Sequence, residues 1–269
     1  MTFLSNIDGL KNSLFESVIA VFSKIKKDFS KDYVLMELES RIKEAREYVI
    51  KEDKLDYRLN KLFELFYVRW NFGAASGIYE LSEVLWIDNV LKTGKGTAVS
   101  LGIILLYIAQ RLHLPLAPVI FPTQLILRFD GVDDQMSLIN PFNGEILDKH
   151  TLRVWLKGNI SPTAELYSND LDKAKSSKVI KKMLDTLKSA LMEEKKMELA
   201  LQVSNVLLEI YPNDPYEIRD RGLIYAQLDC DHIALTDLIY FVEHCPEDPI
   251  SEIIKVQIHA IEQRKLVLH

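Results

Sequence analysis

The sequence predicts an α+β protein that is mostly helical, with a small antiparallel sheet against a buried helix and a run of helical repeats after it. Three observations predict this. The stretch Thr97 to Ala109 (TAVSLGIILLYIA) is apolar on nearly every side, the pattern of a helix buried all round. Directly after it, Val119–Phe121, Gln124–Phe129 and Ser137–Asn140 read as short strands, in a region that Pro115, Pro118 and Pro122 keep out of helix. Farther on, Ala200-Leu201 recurs as Ala234-Leu235, Pro212 as Pro246 and Asp214-Pro215 as Asp248-Pro249, each pair 34 residues apart.

In chain order, residues 10–28 place Leu14, Val18, Val21, Phe22 and Ile25 at helical spacing, and residues 32–50 do so with Val34, Leu35, Leu38, Ile42, Ala45 and Val49. A third helix is expected from Leu55 to Phe66. A fourth is expected from Leu81 to Leu91, stopped by Gly94-Lys95-Gly96. The aromatics Phe63, Phe66, Tyr67, Trp70 and Phe72 read as core with a loop packed on it. The central helix begins after Gly96 and carries His113 at its far end. Gly131-Val132-Asp133-Asp134 and Asn143-Gly144 read as tight turns. Trp155 sits in a short amphipathic segment ending at Gly158. The expected organisation is a helical subdomain plus sheet-bearing core over residues 1–165, a linker over 166–178, and repeats with a capping helix over 179–269.

The bulk numbers narrow the function classes. The chain has 269 residues, enough for two cores. Its hydrophobic (48%) and charged (27%) fractions are those of a soluble globular protein, and its net charge of -6 argues against a nucleic-acid binder. Cys230 and Cys245 lack metal-ligand spacing and read as reduced thiols. Met1 to Asp8 lacks the features of a signal peptide, and no apolar run approaches the roughly 20 residues of a membrane span. A cytoplasmic protein that binds neither membrane nor nucleic acid is expected, with no cofactor. Gly94-Lys95-Gly96-Thr97 is not a phosphate loop, because position 89 is Asn and no strand precedes it.

The period of 34 is that of tetratricopeptide helix pairs. In the second copy Gly222, Tyr225, Ala234, Phe241 and Pro246 occupy the small, aromatic and helix-stopping positions. The first copy keeps Leu191, Ala200, Leu207 and Pro212 but has Lys188 where a small residue belongs. Residues Ile250 to Leu266 read as the closing helix. From Glu198 to Asp248 there are eleven acidic side chains against Arg219 and Arg221, whereas Lys173 to Lys196 holds eight lysines. An acidic repeat surface would steer a basic segment toward it. Arg219, Tyr225, Asp229 and Asp237 are the repeat-surface candidates.

Four stretches, Leu85–Leu91, Gly96–Leu101, Phe121–Arg128 and Ile139–Gly144, resemble the SirB family, in which a transglutaminase-like domain is joined to tetratricopeptide-like repeats. The resemblance covers essentially the whole chain. It implies a papain-like layout, with a Cys opening the central helix, a His on one strand and an Asp on the next. The matching positions here are Ala98, Gln124 and Asn140, so all three depart from the enzyme pattern. Ala98 offers no nucleophile and Gln124 no proton shuttle. Ser100, Arg128 and Asn143 are the expected groove neighbours. Ser100 has a hydroxyl but no neighbouring base, and His113, roughly 20 Å along the helix from Ala98, is too far away to serve. His150 reads as solvated, and Asp133–Asp134 as a turn pair.

Two readings follow. The first is a non-catalytic scaffold, pseudoenzyme-like, whose repeats bind a protein or peptide partner, a basic segment being the kind that the charge favours. The alternative is a divergent hydrolase or transferase acting on amide or peptide bonds, with a rebuilt site.

Overall fold

The computed structural model describes residues 13–49, 54–131 and 136–267. These divide into two compact units, one running to Met183 and the other beginning at Leu184.

The first unit opens with α1 (Leu14–Ile25), started by a capping box in which Ser13 and Glu16 bond each other's backbone. Helix α2 (Lys31–Val49) buries Val34, Leu38, Ile42, Ala45 and Val49, one stripe at helical spacing. Helix α3 (Leu55–Phe63) does not simply continue to Phe66. It widens into a π-helical segment, Glu64–Arg69, after which Asn71 takes a positive φ of 54°. Phe66 and Phe72 stack at 4.5 Å in the core, as expected of that aromatic group.

The fourth helix is shorter than its periodicity suggests. Leu81–Leu85 form turns, and only α4 (Ile87–Thr93) is helical. Trp86 is the extended residue before it, fully buried with its ring edge-on to Phe22 at 4.8 Å. Seating that indole in the core overrides the helical pattern around it. Gly94 ends α4 with φ 71°, and a Cβ there would lie 2.9 Å from the Asn71 carbonyl oxygen, so glycine is required twice over. Strand β1 (Gly73–Ala74) then pairs in parallel with β2 (Lys95–Gly96).

Helix α5 (Ala98–Arg111) is the central helix, with eleven of its 14 residues buried. His113 lies beyond its end at φ 55°, in a turn rather than on the helix. Strands β3 (Leu116–Ile120), β4 (Leu125–Asp130), β5 (Met136–Ile139) and β6 (Ile146–Leu147) form one antiparallel sheet in chain order. Leu125 and Leu127 meet α5 at Gly102, where a Cβ would come within 2.5 Å of Leu125. Ile126 and Leu138 pack in a second cluster with Leu152 and Leu156 of α6 (Lys149–Asn159). Val132–Gln135, including the Asp133–Asp134 turn pair, lie outside the described residues.

The expected linker is held to the sheet. The 3-10 turn Ser168–Leu171 puts Leu171 in that second cluster, Arg128 donates to the Leu171 carbonyl at 3.2 Å, and Ala174 N–H donates to the Pro118 carbonyl at 2.8 Å. Helix α7 (Ser176–Glu193) contains the division between the two units.

The second unit continues with α8 (Met197–Ile210), α9 (Pro215–Gln227), α10 (Asp231–His244) and α11 (Pro249–Val267). They include the helix pairs that the 34-residue period predicts, with α11 following them. Gly222 brings α9 against α10: a Cβ there would sit 3.0 Å from both Asp237 and Leu238. Its counterpart 34 residues earlier is Lys188, which is only 3% exposed. The Lys188 ammonium lies 2.5 Å from Glu217, itself 4% exposed, and 2.7 Å from Asp220. A buried ion pair joins α7 to α9 where the second repeat uses close packing. Removing Lys188 takes the ammonium away from a carboxylate that is almost fully buried, which is costly. Lys188→Ala is therefore expected to cost about 3–5 kcal/mol in urea unfolding, and Lys188→Met with Glu217→Leu to recover most of that loss.

Candidate functional site

The N-terminus of α5 is tied down by its own side chains. Thr97 caps it by accepting from Ser100 N–H at 3.2 Å, and Ser100 Oγ accepts from Thr97 N–H at 2.9 Å. Ser100 Oγ then donates to the Val84 carbonyl at 2.7 Å. Ser100 is 0% exposed. It is therefore not a groove residue: it fastens the helix start to the 82–86 turns. Gly96 permits this, because a Cβ there would lie 2.7 Å from Ser100 Oγ.

Ala98 is buried at the first position of α5. It lies four residues before Gly102, so the two share a helix face. Gly102 meets Leu125 and, more distantly, Pro141, the sequence neighbours of Gln124 and Asn140. The β4–β5 register, which pairs Leu127 with Ile139, brings both positions to the same end of the sheet. Ala98, Gln124 and Asn140 are thus drawn from one region of the helix–sheet contact.

The polar atoms there serve the backbone. Asn140 Oδ1 accepts from Phe142 N–H at 3.1 Å, its carbonyl accepts from Gly144 N–H at 2.9 Å, and its own N–H donates to Glu145. Asn143 Oδ1 accepts from Glu145 N–H at 3.1 Å and lies exposed in the same turn. Tyr67 of the π-helical segment donates its hydroxyl to the Pro141 carbonyl at 3.1 Å, and its ring fills the space beside Gly144, whose φ is 76°. Burial pushes the Tyr67 phenol well above the ordinary tyrosine range. Gln124 is half-buried in the bend before β4. Next to it, the buried Thr123 Oγ1 has no hydrogen-bond partner among the described residues.

Arg128 is not a groove neighbour either. Alternation along β4 sends Leu125 and Leu127 toward α5 and puts Arg128 with Ile126 on the opposite face. There its guanidinium bonds Asp130 at 2.8 Å and the Leu171 carbonyl. His113 is exposed beyond the far end of α5, lining a cavity of about 520 Å³ with Tyr107 and Gln110. His150 is exposed in the first turn of α6.

On the Val84 side of the α5 start lies a cavity of about 380 Å³, walled by Tyr79, Glu83, Val84, Asn89, Lys92 and Lys95 rather than by Ala98, Gln124 or Asn140. A loop with Gly77 at φ 83° flanks it and exposes Ile78 and Tyr79. Among the described residues no group of three or more His, Cys, Asp or Glu side chains could hold a metal, and no helix is long and apolar enough to cross a membrane. Both cysteines are free.

The repeat-surface candidates are mostly structural. Asp237 is buried and takes Arg221 bidentately at 2.7 and 2.8 Å. Arg219 bonds Asp220 at 2.6 Å and lies over the rings of Tyr216 and Phe241. Tyr225 packs, partly buried, against the Leu238–Phe241 cluster. Asp229 is the exposed residue of this set, in the turn before α10 at φ 56°. The residues missed from sequence are Tyr67, Glu217 and the role of Lys188. Only Lys188 had a signal, a charge where the period asks for a small side chain.

Two expected outcomes follow. Ser100→Ala should lower unfolding free energy by about 1–2 kcal/mol, through the lost cap and the lost bond to Val84. Asp130 is held below the usual carboxylate range by Lys173 first and Arg128 second. A depressed folded-state value gives stability that is present above the unfolded value, about 3.9, and lost as pH falls through the folded one. Asp130→Asn should therefore destabilise at pH 7 in urea titrations, with the gap to wild type closing below about pH 4.

Comparison with known proteins matches residues 32–185 to the transglutaminase-like superfamily and residues 187–259 to the tetratricopeptide repeat. The chain is 71% identical to a UPF0162 protein of Buchnera aphidicola subsp. Acyrthosiphon pisum, over 100% of both chains. It is 57% identical to Protein SirB1 of Salmonella typhimurium and 56% identical to the UPF0162 protein YchA of Escherichia coli K12, again over 100% of both. A crystal structure of menin aligns with a TM-score of 0.32 at 10% identity, over 84% of this chain and 69% of its own, too loose a likeness to carry an argument.

Proposed function

The chain belongs to the SirB1/UPF0162 family, with a transglutaminase-like domain and tetratricopeptide repeats, and on that premise we propose that it is a non-catalytic, cytoplasmic scaffold whose repeats bind a protein or peptide. What supports this reading is the family resemblance, which sets Ala98, Gln124 and Asn140 against the Cys, His and Asp of a thiol enzyme of this fold. A carboxamide cannot take up a proton near neutral pH, and a methyl group cannot attack a carbonyl. The Ser100 hydroxyl, two residues past Ala98, is buried and bonded to the Val84 carbonyl, so it is no substitute nucleophile. Loss of a whole triad removes many orders of magnitude of rate. Tetratricopeptide repeats generally mediate protein–protein contacts, which supplies the other half of the reading.

The test uses purified full-length protein, an amide and ester substrate panel, and an amine-exchange assay. We expect no turnover that Gln124→Ala or Asn140→Ala diminishes, and the same partner cross-linked by wild type and both variants. Turnover that either substitution abolishes would overturn the scaffold reading in favour of an amide-bond hydrolase or transferase.

A further inference from the structure

The second unit has a groove between the two helices of one repeat. It is about 490 Å³, with Ile218 and Arg221 on the α9 side and Thr236, Ile239, Tyr240 and Glu243 on the α10 side. Thr236, Ile239, Tyr240 and Glu243 recur at spacings of three, one and three, so they form one face of α10. That face is distinct from Ala234, Leu238 and Phe241, which fill the core. Ile239 is 40% exposed although it lies within a well-packed helix pair.

The exposed Lys, Arg, Asp and Glu charge of the stretch that holds this groove is one-sided once internal pairs are set aside. Arg219 and Arg221 are the Lys and Arg residues between Glu198 and Asp248, against eleven acids. Arg221 is bound bidentately by buried Asp237, and Arg219 is bound by Asp220. Lys188, on α7, is buried against Glu217 and Asp220. These cations are neutralised inside the unit, whereas Glu198, Glu243 and Glu247 are exposed. The groove therefore offers apolar anchoring points with a carboxylate on its rim.

We propose that the α9–α10 groove is the docking site for a basic amphipathic helix of a partner protein, which lays aliphatic side chains at i, i+3 and i+4 against Ile239 and Tyr240 while its lysines or arginines face Glu243. The helix-in-groove mode supplies the apolar contact, and the acidic surroundings supply steering and selection against acidic helices. The proposal rests on the scaffold reading and specifies its partner. An intact pair of Arg221 and Asp237 forms the floor, so the incoming helix meets no unpaired cation there.

The experiment measures fluorescence anisotropy with full-length protein and two labelled peptides of about five helical turns. Both carry leucines at i, i+3, i+4 and i+7; one has lysine at its remaining positions and the other glutamate. The lysine peptide should bind with an affinity that falls as salt rises, and the glutamate peptide should not bind. Ile239→Asp should weaken the lysine peptide about tenfold or more, and Glu243→Lys about threefold with a flatter salt dependence. Both side chains are exposed, and circular dichroism is the check that the variants remain folded. Ile253→Asp, at an exposed apolar position on α11, should leave binding unchanged. Failure of the lysine peptide to bind, equal binding of both peptides, insensitivity to Ile239→Asp and Glu243→Lys, or a loss confined to Ile253→Asp would each overturn the groove assignment. None of those results bears on the turnover and cross-linking test of the scaffold itself.

Discussion

The first unit depends on how a helix buried on every side begins. The opening amides of α5 have no intrahelical acceptors, and burial denies them water. Thr97 and Ser100 answer this by capping each other's backbone, and the Ser100 hydroxyl reaches on to Val84. Gly96 leaves room for that hydroxyl, and Gly94 turns the chain where a side chain would strike Asn71. Four residues thus fix the start of α5, whose first residue is the buried Ala98.

The same economy governs the opposite side of the site. Asn140, Asn143 and Gly144 close one turn, and Tyr67 braces it from a π-helical segment. π-helical segments are rare and cluster at functional sites; here its visible work is to aim a phenol at the Pro141 carbonyl. Polar groups around Asn140 hold backbone in place.

In the repeats, two solutions to one packing problem stand 34 residues apart. Gly222 lets α9 approach α10 closely, and Lys188 holds α7 to α9 through Glu217 and Asp220. The ionic solution has a consequence outside the core. It draws Glu217 and Asp220 inward, as Arg221 draws Asp237, so the eleven acids of the stretch overstate the acidity of its surface. Of what remains exposed, Glu243 lines the same groove as Ile239, where an apolar contact and a carboxylate come together.

Much of this was legible in the sequence because it rests on local rules. Periodicity gave the buried helix, prolines and alternation gave the strands, and a 34-residue repeat gave the helix pairs. That residues 98, 124 and 140 are Ala, Gln and Asn could be read directly. The tertiary structure alone decided the rest, because side-chain direction depends on what lies across the contact. Trp86 ends the helical pattern of 81–91 by seating in the core against Phe22, and β4's alternation turns Arg128 away from α5. Asp237 and Lys188 look like surface charges in sequence and are buried because each finds an opposite charge on a neighbouring helix, a pairing that no local pattern encodes.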